Sequence, residues 1–165
     1  MGLLAWLPDW CRANRLENRI PPPLVAASFA LVMWLSERHL PNLTLDADLR
    51  VTAALTLLML GTIFSLAGVI AFRRARTTVN PLKPETSSSL VDSGVYRITR
   101  NPMYAGFALW LLAWAVYLSS PLTLLGLVGF IAYMNRFQIG PEERALATLF
   151  GEDFIRYRAR VRRWL

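Results

Sequence analysis

The chain has 165 residues, of which 55% are hydrophobic, and a formal net charge of +7. This composition excludes an ordinary soluble domain and predicts a single membrane-embedded domain over residues 1–165, in contact with the lipid bilayer. Cys11 is the single cysteine and His39 the single histidine, so neither an intramolecular disulfide nor a metal site is expected. Basic chains can bind nucleic acid, but basic loops beside membrane spans explain this charge better, so no nucleic-acid partner is expected.

The first half of the chain predicts a surface helix followed by two membrane spans. Residues 1–20 carry the pattern of an amphipathic helix at the membrane interface, and the prolines that follow end it. The two spans are expected within residues 21–72, where the runs Pro23–Ser36 and Val51–Phe72 contain no charge. The second run has 22 residues, which is enough to cross a bilayer as a helix.

The second half begins with a polar connector at residues 77–94, which has no helical period and is expected to be irregular. Residues 95–165 then form the half in which we expect the cofactor and the chemistry. Its apolar segments, Met103–Ser119 and Leu122–Asn135, are separated by two residues and predict a tight helical hairpin. A break at Gly151 and a final amphipathic helix from Glu152 to Trp164 are expected after them.

Together these elements predict an all-α integral membrane bundle of about four transmembrane helices, with cytoplasmic amphipathic helices at both ends. The distribution of basic residues supports this count, because 16 of the 18 form three groups that four crossings place on one side, and only Arg38 and Arg50 remain for the other side. By the positive-inside rule that side is the cytoplasm. We therefore expect an integral protein of a prokaryotic inner membrane with both termini cytoplasmic. The three groups are Arg12, Arg15 and Arg19; Arg73, Arg74, Arg76, Lys83, Arg97 and Arg100; and Arg136, Arg144, Arg156, Arg158, Arg160, Arg162 and Arg163.

Asn101 and Pro102 have the pattern of a helix start, with Asn101 as N-cap and Pro102 at the first helical position. Arg100 and Tyr104 flank the pair, and free helix amides beside an arginine can bind an anion. The alternative is an ordinary cap on the third span, which would not explain the two flanking residues.

The dipeptide Gly140-Pro141 predicts that a second helix restarts, with Glu142 and Glu143 in its first turn. Acidic residues there are also favoured by the helix dipole alone. Together, a cationic and an anionic corner match a zwitterion such as the methionine end of S-adenosylmethionine. Tyr96 and Tyr104 can face an adenine ring or a sulfonium, or serve as interface anchors.

The stretch Gly94–Tyr104, followed by Pro141-Glu142-Glu143, resembles the signature of the small integral-membrane methyltransferases. That family includes the isoprenylcysteine carboxyl methyltransferases and the phospholipid N-methyltransferases, which use S-adenosylmethionine. The resemblance runs from about Arg76 to Leu165. It implies methyl transfer from S-adenosylmethionine to an apolar or lipid-like acceptor, through a carboxylate, thiol or amine, at the cytoplasmic face. Further matching positions are Thr77 to Pro81, Phe150-Gly151 and Tyr157.

Candidate site residues follow from the residue pattern and from the resemblance together. Arg100, Tyr104 and Glu143 are the candidates for catalysis, with Glu143 as a weak candidate base; the alternative is that Glu143 faces solvent or pairs with an arginine. Gln138 falls where the eukaryotic isoprenylcysteine enzymes have an arginine associated with the substrate, and Arg136 is the nearest basic residue. A prenylcysteine carboxylate is therefore expected to be a poor acceptor. The cofactor-binding candidates are Leu90, Val91, Tyr96, Asn101, Pro102, Met103, Tyr104 and Glu142.

Two other functions fit parts of the sequence. A membrane reductase of the sterol or steroid type would bind NADPH, but the phosphate of NADPH would favour arginines where Glu142 and Glu143 lie. A non-catalytic four-span interaction protein would leave the connector and the Asn101-Pro102 corner without a purpose.

Overall fold

The computed structural model describes residues 17–39, 41, 43–44, 46–75 and 88–165. The regular elements of these residues are helices, which confirms the predicted all-α class. Short 3-10 turns lie at Gly94–Arg97 and Pro121–Thr123, and a π-helical segment lies at Met134–Ile139. The α-helices are α1 (Pro22–Glu37), α2 (Ala47–Arg74), α3 (Pro102–Leu118), α4 (Leu124–Tyr133) and α5 (Gly140–Arg160).

Two helical stretches of the described chain are long and apolar enough to cross a membrane. They are Ala47–Arg74 and the continuous stretch Pro121–Arg160. The uncharged part of the second stretch ends at Asn135, so its later residues lie beyond the apolar segment. Helices α1 and α3 are apolar but shorter, and the count of four crossings stays a prediction.

Helix α3 is the centre of the bundle and packs against α1, α2 and α4. Its closest approach is to α2, where a Cβ atom at Gly106 would lie 2.5 Å from the carbonyl oxygen of Gly61. Small residues at such a crossing allow two helix backbones to approach each other. The indole of Trp110 adds a hydrogen bond across the same interface, donating to the carbonyl of Leu58 at 3.2 Å. α3 therefore holds a fixed position from which its first turn presents the site residues.

As predicted, α5 begins at Gly140-Pro141 with Glu142 and Glu143 in its first turn, but no break precedes it, because the chain stays helical from α4 through the π segment into α5. Proline has no N–H, and its ring clashes with the carbonyl four residues earlier in a regular α-helix. A π-helical turn is wider and lets the helix continue past Pro141. The carbonyl of Phe137, to which Pro141 cannot donate, accepts a hydrogen bond from the amide of Asn18 at 3.1 Å.

The break expected at Gly151 is present as a kink inside α5, with φ 49° and ψ −123°. Side chains with a Cβ rarely adopt this conformation. The final helix was expected to run from Glu152 to Trp164, but it ends at Arg160 and Val161 is extended. The C-terminal tail, residues 161–165, then lies beside the loop before α3, where Arg162 and Thr99 form a parallel bridge.

Two predicted segments lie largely outside the residues that the structure describes. They are the amphipathic helix of residues 1–20 and the connector of residues 77–94.

Candidate functional site

Helices α3 and α5 meet at the carboxylate of Glu142. Tyr104, in the first turn of α3, donates its hydroxyl to Oε1 of Glu142 at 2.5 Å, and Gln138 donates its Nε2 to the same oxygen at 2.6 Å. Tyr104 and Gln138 are buried, with 5% and 2% of their surface exposed. Gln138 and Glu142 are four residues apart on one helical face, so the pair is preformed by α5 and its π segment. Both donors are neutral side chains.

The environment of Glu142 makes its ionised form less favourable than it is for a carboxylate in water. The residue lies beyond the uncharged part of its helix, at the polar end. Burial raises its pKa to about 7, against the hydrogen bonds from Tyr104 and Gln138, which lower it. The charge on Glu143 adds to the rise. A cationic ligand beside this carboxylate would favour the ionised form and would bind it strongly.

Glu143 has the opposite environment. Its Oε1 accepts from Arg100 at 2.7 Å and from Nε of Arg163 at 3.1 Å, and its Oε2 accepts from Nη2 of Arg163 at 2.5 Å. Burial alone would raise the pKa of Glu143, but the hydrogen bonds from Arg163 and Arg100 outweigh it and lower the pKa. Such a carboxylate is a poor base. The geometry favours the alternative in which Glu143 pairs with an arginine.

Arg100 joins Glu143 to the end of the same helix. Its Nη1 donates to the carbonyls of Arg158, at 3.1 Å, and Val161. In a straight helix, Glu143 and Arg158 would lie roughly 22 Å apart. One guanidinium can bind both because α5 folds back at Gly151. The kink therefore brings the end of α5 back towards Glu143.

The C-terminal tail completes the arrangement, a role that was not predicted from the sequence. The carbonyl of Arg163 accepts from the hydroxyl of Thr99 and from Nδ2 of Asn101, each at 3.0 Å. The side chain of Asn135 accepts from Trp164 at 3.1 Å and from Arg163 at 3.3 Å. The helical spacing of the basic residues in this region predicts a helix at the cytoplasmic interface, and no feature of the sequence marks the extended tail.

The start of α3 differs in one respect from the prediction. Asn101 is at the N-cap and Pro102 follows it, but the Asn101 side chain makes no capping hydrogen bond. Its Nδ2 binds the tail instead, so Asn101 offers no capping acceptor to the first amides of α3. Pro102 is buried, and Met103 packs so closely on α2 that a Cβ at Gly68 would lie 2.8 Å from its Cγ.

The predicted cofactor-binding residues Leu90, Val91 and Tyr96 form an apolar wall. Val91 and Tyr96 are buried together with Phe154 and Tyr157, and Leu90 packs against the same cluster. The hydroxyl of Tyr157 donates to the carbonyl of Tyr96 at 2.9 Å. Burial raises the pKa of Tyr96 well above its ordinary value, so its ring stays neutral.

Arg136 is not brought to this site. Its side chain is 44% exposed and pairs with Glu17 at 3.3 Å, while Arg144 pairs with the same glutamate at 2.6 Å. Gln138, two residues later, is buried against Glu142. The two residues predicted to bind substrate therefore lie apart, and only Gln138 belongs to the cluster around Glu142.

The sequence model of the phospholipid methyltransferase family matches residues 49–153, which include most of α2, all of α3 and α4, and both glutamates. The chain belongs to this family. The matched range holds the predicted site residues from Leu90 to Glu143, and it leaves out Arg163. Membership decides between the three functions considered, and identifies the protein as a methyltransferase.

Individual relatives agree with the family match. The chain is 33% identical over 110 residues to protein-S-isoprenylcysteine O-methyltransferase B of Arabidopsis thaliana, covering 65% of this chain and 54% of the relative. It is 30% identical over 143 residues to protein-S-isoprenylcysteine O-methyltransferase A of the same plant, covering 81% and 71%. An uncharacterized protein of Haemophilus influenzae is 46% identical over 63 residues, which are 38% of this chain and the whole of that protein. The chain thus spans about half the length of the first plant enzyme.

No solved structure matches the chain.

Proposed function

We propose that this methyltransferase takes its methyl group from S-adenosylmethionine and transfers it to an apolar or lipid-like acceptor at the cytoplasmic face of the membrane. The observation that carries the proposal is the contrast between the two glutamates. Glu143 is neutralised by two arginines, whereas Glu142 is held by two neutral donors. Glu142 is thus the carboxylate whose charge is left for a cationic ligand.

The residues present fit the methionine end of this cofactor. Glu142 suits the ammonium group, because a charge-assisted hydrogen bond would replace the poor solvation that raises its pKa. The carboxylate of the cofactor suits the start of α3, where the Asn101 side chain does not cap the helix. Arg100 adds positive charge there, and its buried Nε has no hydrogen-bond partner in the described part of the chain.

The remaining residues would orient the cofactor and exclude water. The wall containing Val91 and Tyr96 offers an apolar surface for the adenosine part. The hydrogen bonds from Tyr104 and Gln138 fix the position of the Glu142 carboxylate. Arg163 is a positioning residue, because its ion pair with Glu143 keeps that carboxylate from acting as a base. When bound, the cofactor supplies an electrophilic methyl group on a sulfonium. Alignment and exclusion of water then supply much of the rate, with little covalent help from the protein.

We place the site at the cytoplasmic end of a four-span bundle in a prokaryotic inner membrane. The support is the position of Glu142 beyond an apolar helix and the basic residues beside it, including Arg144 and Arg163. The acceptor would enter from the lipid between the third and fourth spans. The similarity to plant isoprenylcysteine methyltransferases supports an acceptor with a lipid part.

Calorimetry with S-adenosylhomocysteine and purified protein in detergent tests the cofactor. Glu142→Gln should weaken binding about 10- to 150-fold, because a charge-assisted hydrogen bond contributes about 1.5–3 kcal/mol. Glu152→Gln is the matched control, since Glu152 is an exposed acid on the same helix, and it should bind like the wild type. Tight binding of NADPH with no response to S-adenosylhomocysteine would overturn the proposal.

A further inference from the structure

A cavity lies at the opposite end of the bundle from Glu142. It encloses about 310 Å³, and its lining includes Trp34 and Glu37 of α1, Arg50 of α2, and Trp114 and Tyr117 of α3. Tyr104 and Tyr117 are thirteen residues apart on α3, which corresponds to roughly 20 Å along the helix. The cavity is therefore separate from the site of the proposed function.

Arg50 is the cationic group of this cavity. Its Nη1 donates to the hydroxyl of Ser119 at 3.2 Å, and its guanidinium lies 5.6 Å from the ring centre of Tyr117. Its Nε is buried and has no hydrogen-bond partner among the residues described. A buried donor without a partner costs free energy, and a bound anion would satisfy it. Phosphate suits this position because a guanidinium offers several donors in one plane.

Glu37 gives the same cavity a negative group. A carboxylate has about four acceptor positions, so Glu37 can receive an ammonium group in addition to its present interaction. The indoles of Trp34 and Trp114 add aromatic surface, which favours both cations and the interface region of a bilayer. The cavity thus offers a cationic and an anionic group within one space, lined by aromatic rings.

We propose that this cavity binds a zwitterionic phospholipid headgroup, with the phosphate at Arg50 and the ammonium at Glu37. A lipid is favoured over a water-soluble zwitterion because the neighbouring residues Leu35 and Val51 are apolar and exposed, as at a lipid-facing surface. The cavity is also at the end of the bundle where the apolar helices α1 and α3 finish and α2 begins. This site does not depend on the proposed methyl transfer.

The test measures the thermal midpoint of the purified protein against the concentration of added ligand. The ligands are dihexanoyl phosphatidylethanolamine, dihexanoyl phosphatidylglycerol and glycerophosphoethanolamine. The zwitterionic lipid should raise the midpoint saturably and at lower concentration than the anionic lipid. A full effect of glycerophosphoethanolamine would assign the cavity to a water-soluble zwitterion and would overturn the choice of a lipid. An equal or better response to phosphatidylglycerol overturns the proposal.

Variants locate the binding. Arg50→Gln should weaken the response to the zwitterionic lipid at least tenfold, whereas Arg38→Gln should leave it unchanged. Arg38 is the matched control because it lies over Trp34 at 5.2 Å without lining the cavity. Glu37→Gln should abolish the preference for the zwitterionic lipid, which keeps the proposal testable if Arg50→Gln does not fold. Glu142→Gln should keep the response, and its loss there would assign the lipid to the other site and overturn the proposal.

Discussion

Glu142 and Glu143 are neighbours in the chain, yet their carboxylates have opposite partners. Glu142 binds the hydroxyl of Tyr104 and the amide of Gln138, whereas Glu143 binds the guanidinium groups of Arg100 and Arg163. Adjacent residues of a helix point about 100° apart, so one helical turn presents the two carboxylates to different surroundings. This division leaves one carboxylate for a ligand and uses the other to hold the tail in place.

The pKa of Glu142 makes cofactor affinity depend on pH. Because burial raises this pKa to about 7 in the free protein, the carboxylate gains a proton as the pH falls below that value and loses its attraction for an ammonium group. The ammonium itself stays protonated in this range, since α-amino groups titrate at about 7.7–8.0. The affinity for S-adenosylhomocysteine should therefore rise between pH 5.5 and 7, by up to about tenfold per unit. In Glu142→Gln calorimetry should give a flat profile, and an unchanged slope in this variant would contradict the assignment.

Arg163 should contribute to stability through the tail. Arg163→Ala removes two of the hydrogen bonds to Glu143 and the contact with Asn135. The pair is partly buried, so its loss should lower the free energy of unfolding by about 1–3 kcal/mol, a value between those for surface and buried ion pairs. The thermal midpoint should fall by about 2–10 °C. Arg162→Ala is the control, because Arg162 is exposed and its part in the tail is a backbone hydrogen bond.

The sequence predicted the helices themselves well, but it predicted few of the contacts between them. The uncharged runs gave the all-α class, and Gly151 marked a real kink, because both are local properties of the chain. The partners of Glu142 and Glu143 depend on which helix faces are brought together, and spacing alone does not reveal that. Arg163 illustrates the limit: its helical spacing with Arg160 predicted a helix, but the chain becomes extended at Val161.

The membrane topology predicted from the basic residues is open to a direct test. Reporter fusions before Met1 and after Leu165 should both report the cytoplasm, and an insertion near Asn42 should report the opposite side. The physical reason is the cost of moving three groups of basic residues across the membrane. Termini on opposite sides would show that the count of four crossings is wrong.

The acceptor is predicted from Gln138 and Arg136. A carboxylate acceptor needs a cation beside it, but Gln138 is a neutral side chain that already binds Glu142, and Arg136 pairs with Glu17 away from the cluster. Arg100 and Arg163 are already engaged with Glu143. We therefore expect farnesylcysteine to be methylated more slowly than phosphatidylethanolamine or a long-chain thiol.

Methyl transfer to the three acceptors should be measured in parallel, with product identified by mass spectrometry. Gln138→Ala should slow transfer to every acceptor to a similar degree, because in this site Gln138 acts through the position of Glu142. Its effect should accordingly appear as weaker binding of S-adenosylhomocysteine in calorimetry. Rapid methylation of farnesylcysteine, unaffected by Gln138→Ala, would refute this account of acceptor choice and would leave the assignment as a methyltransferase intact.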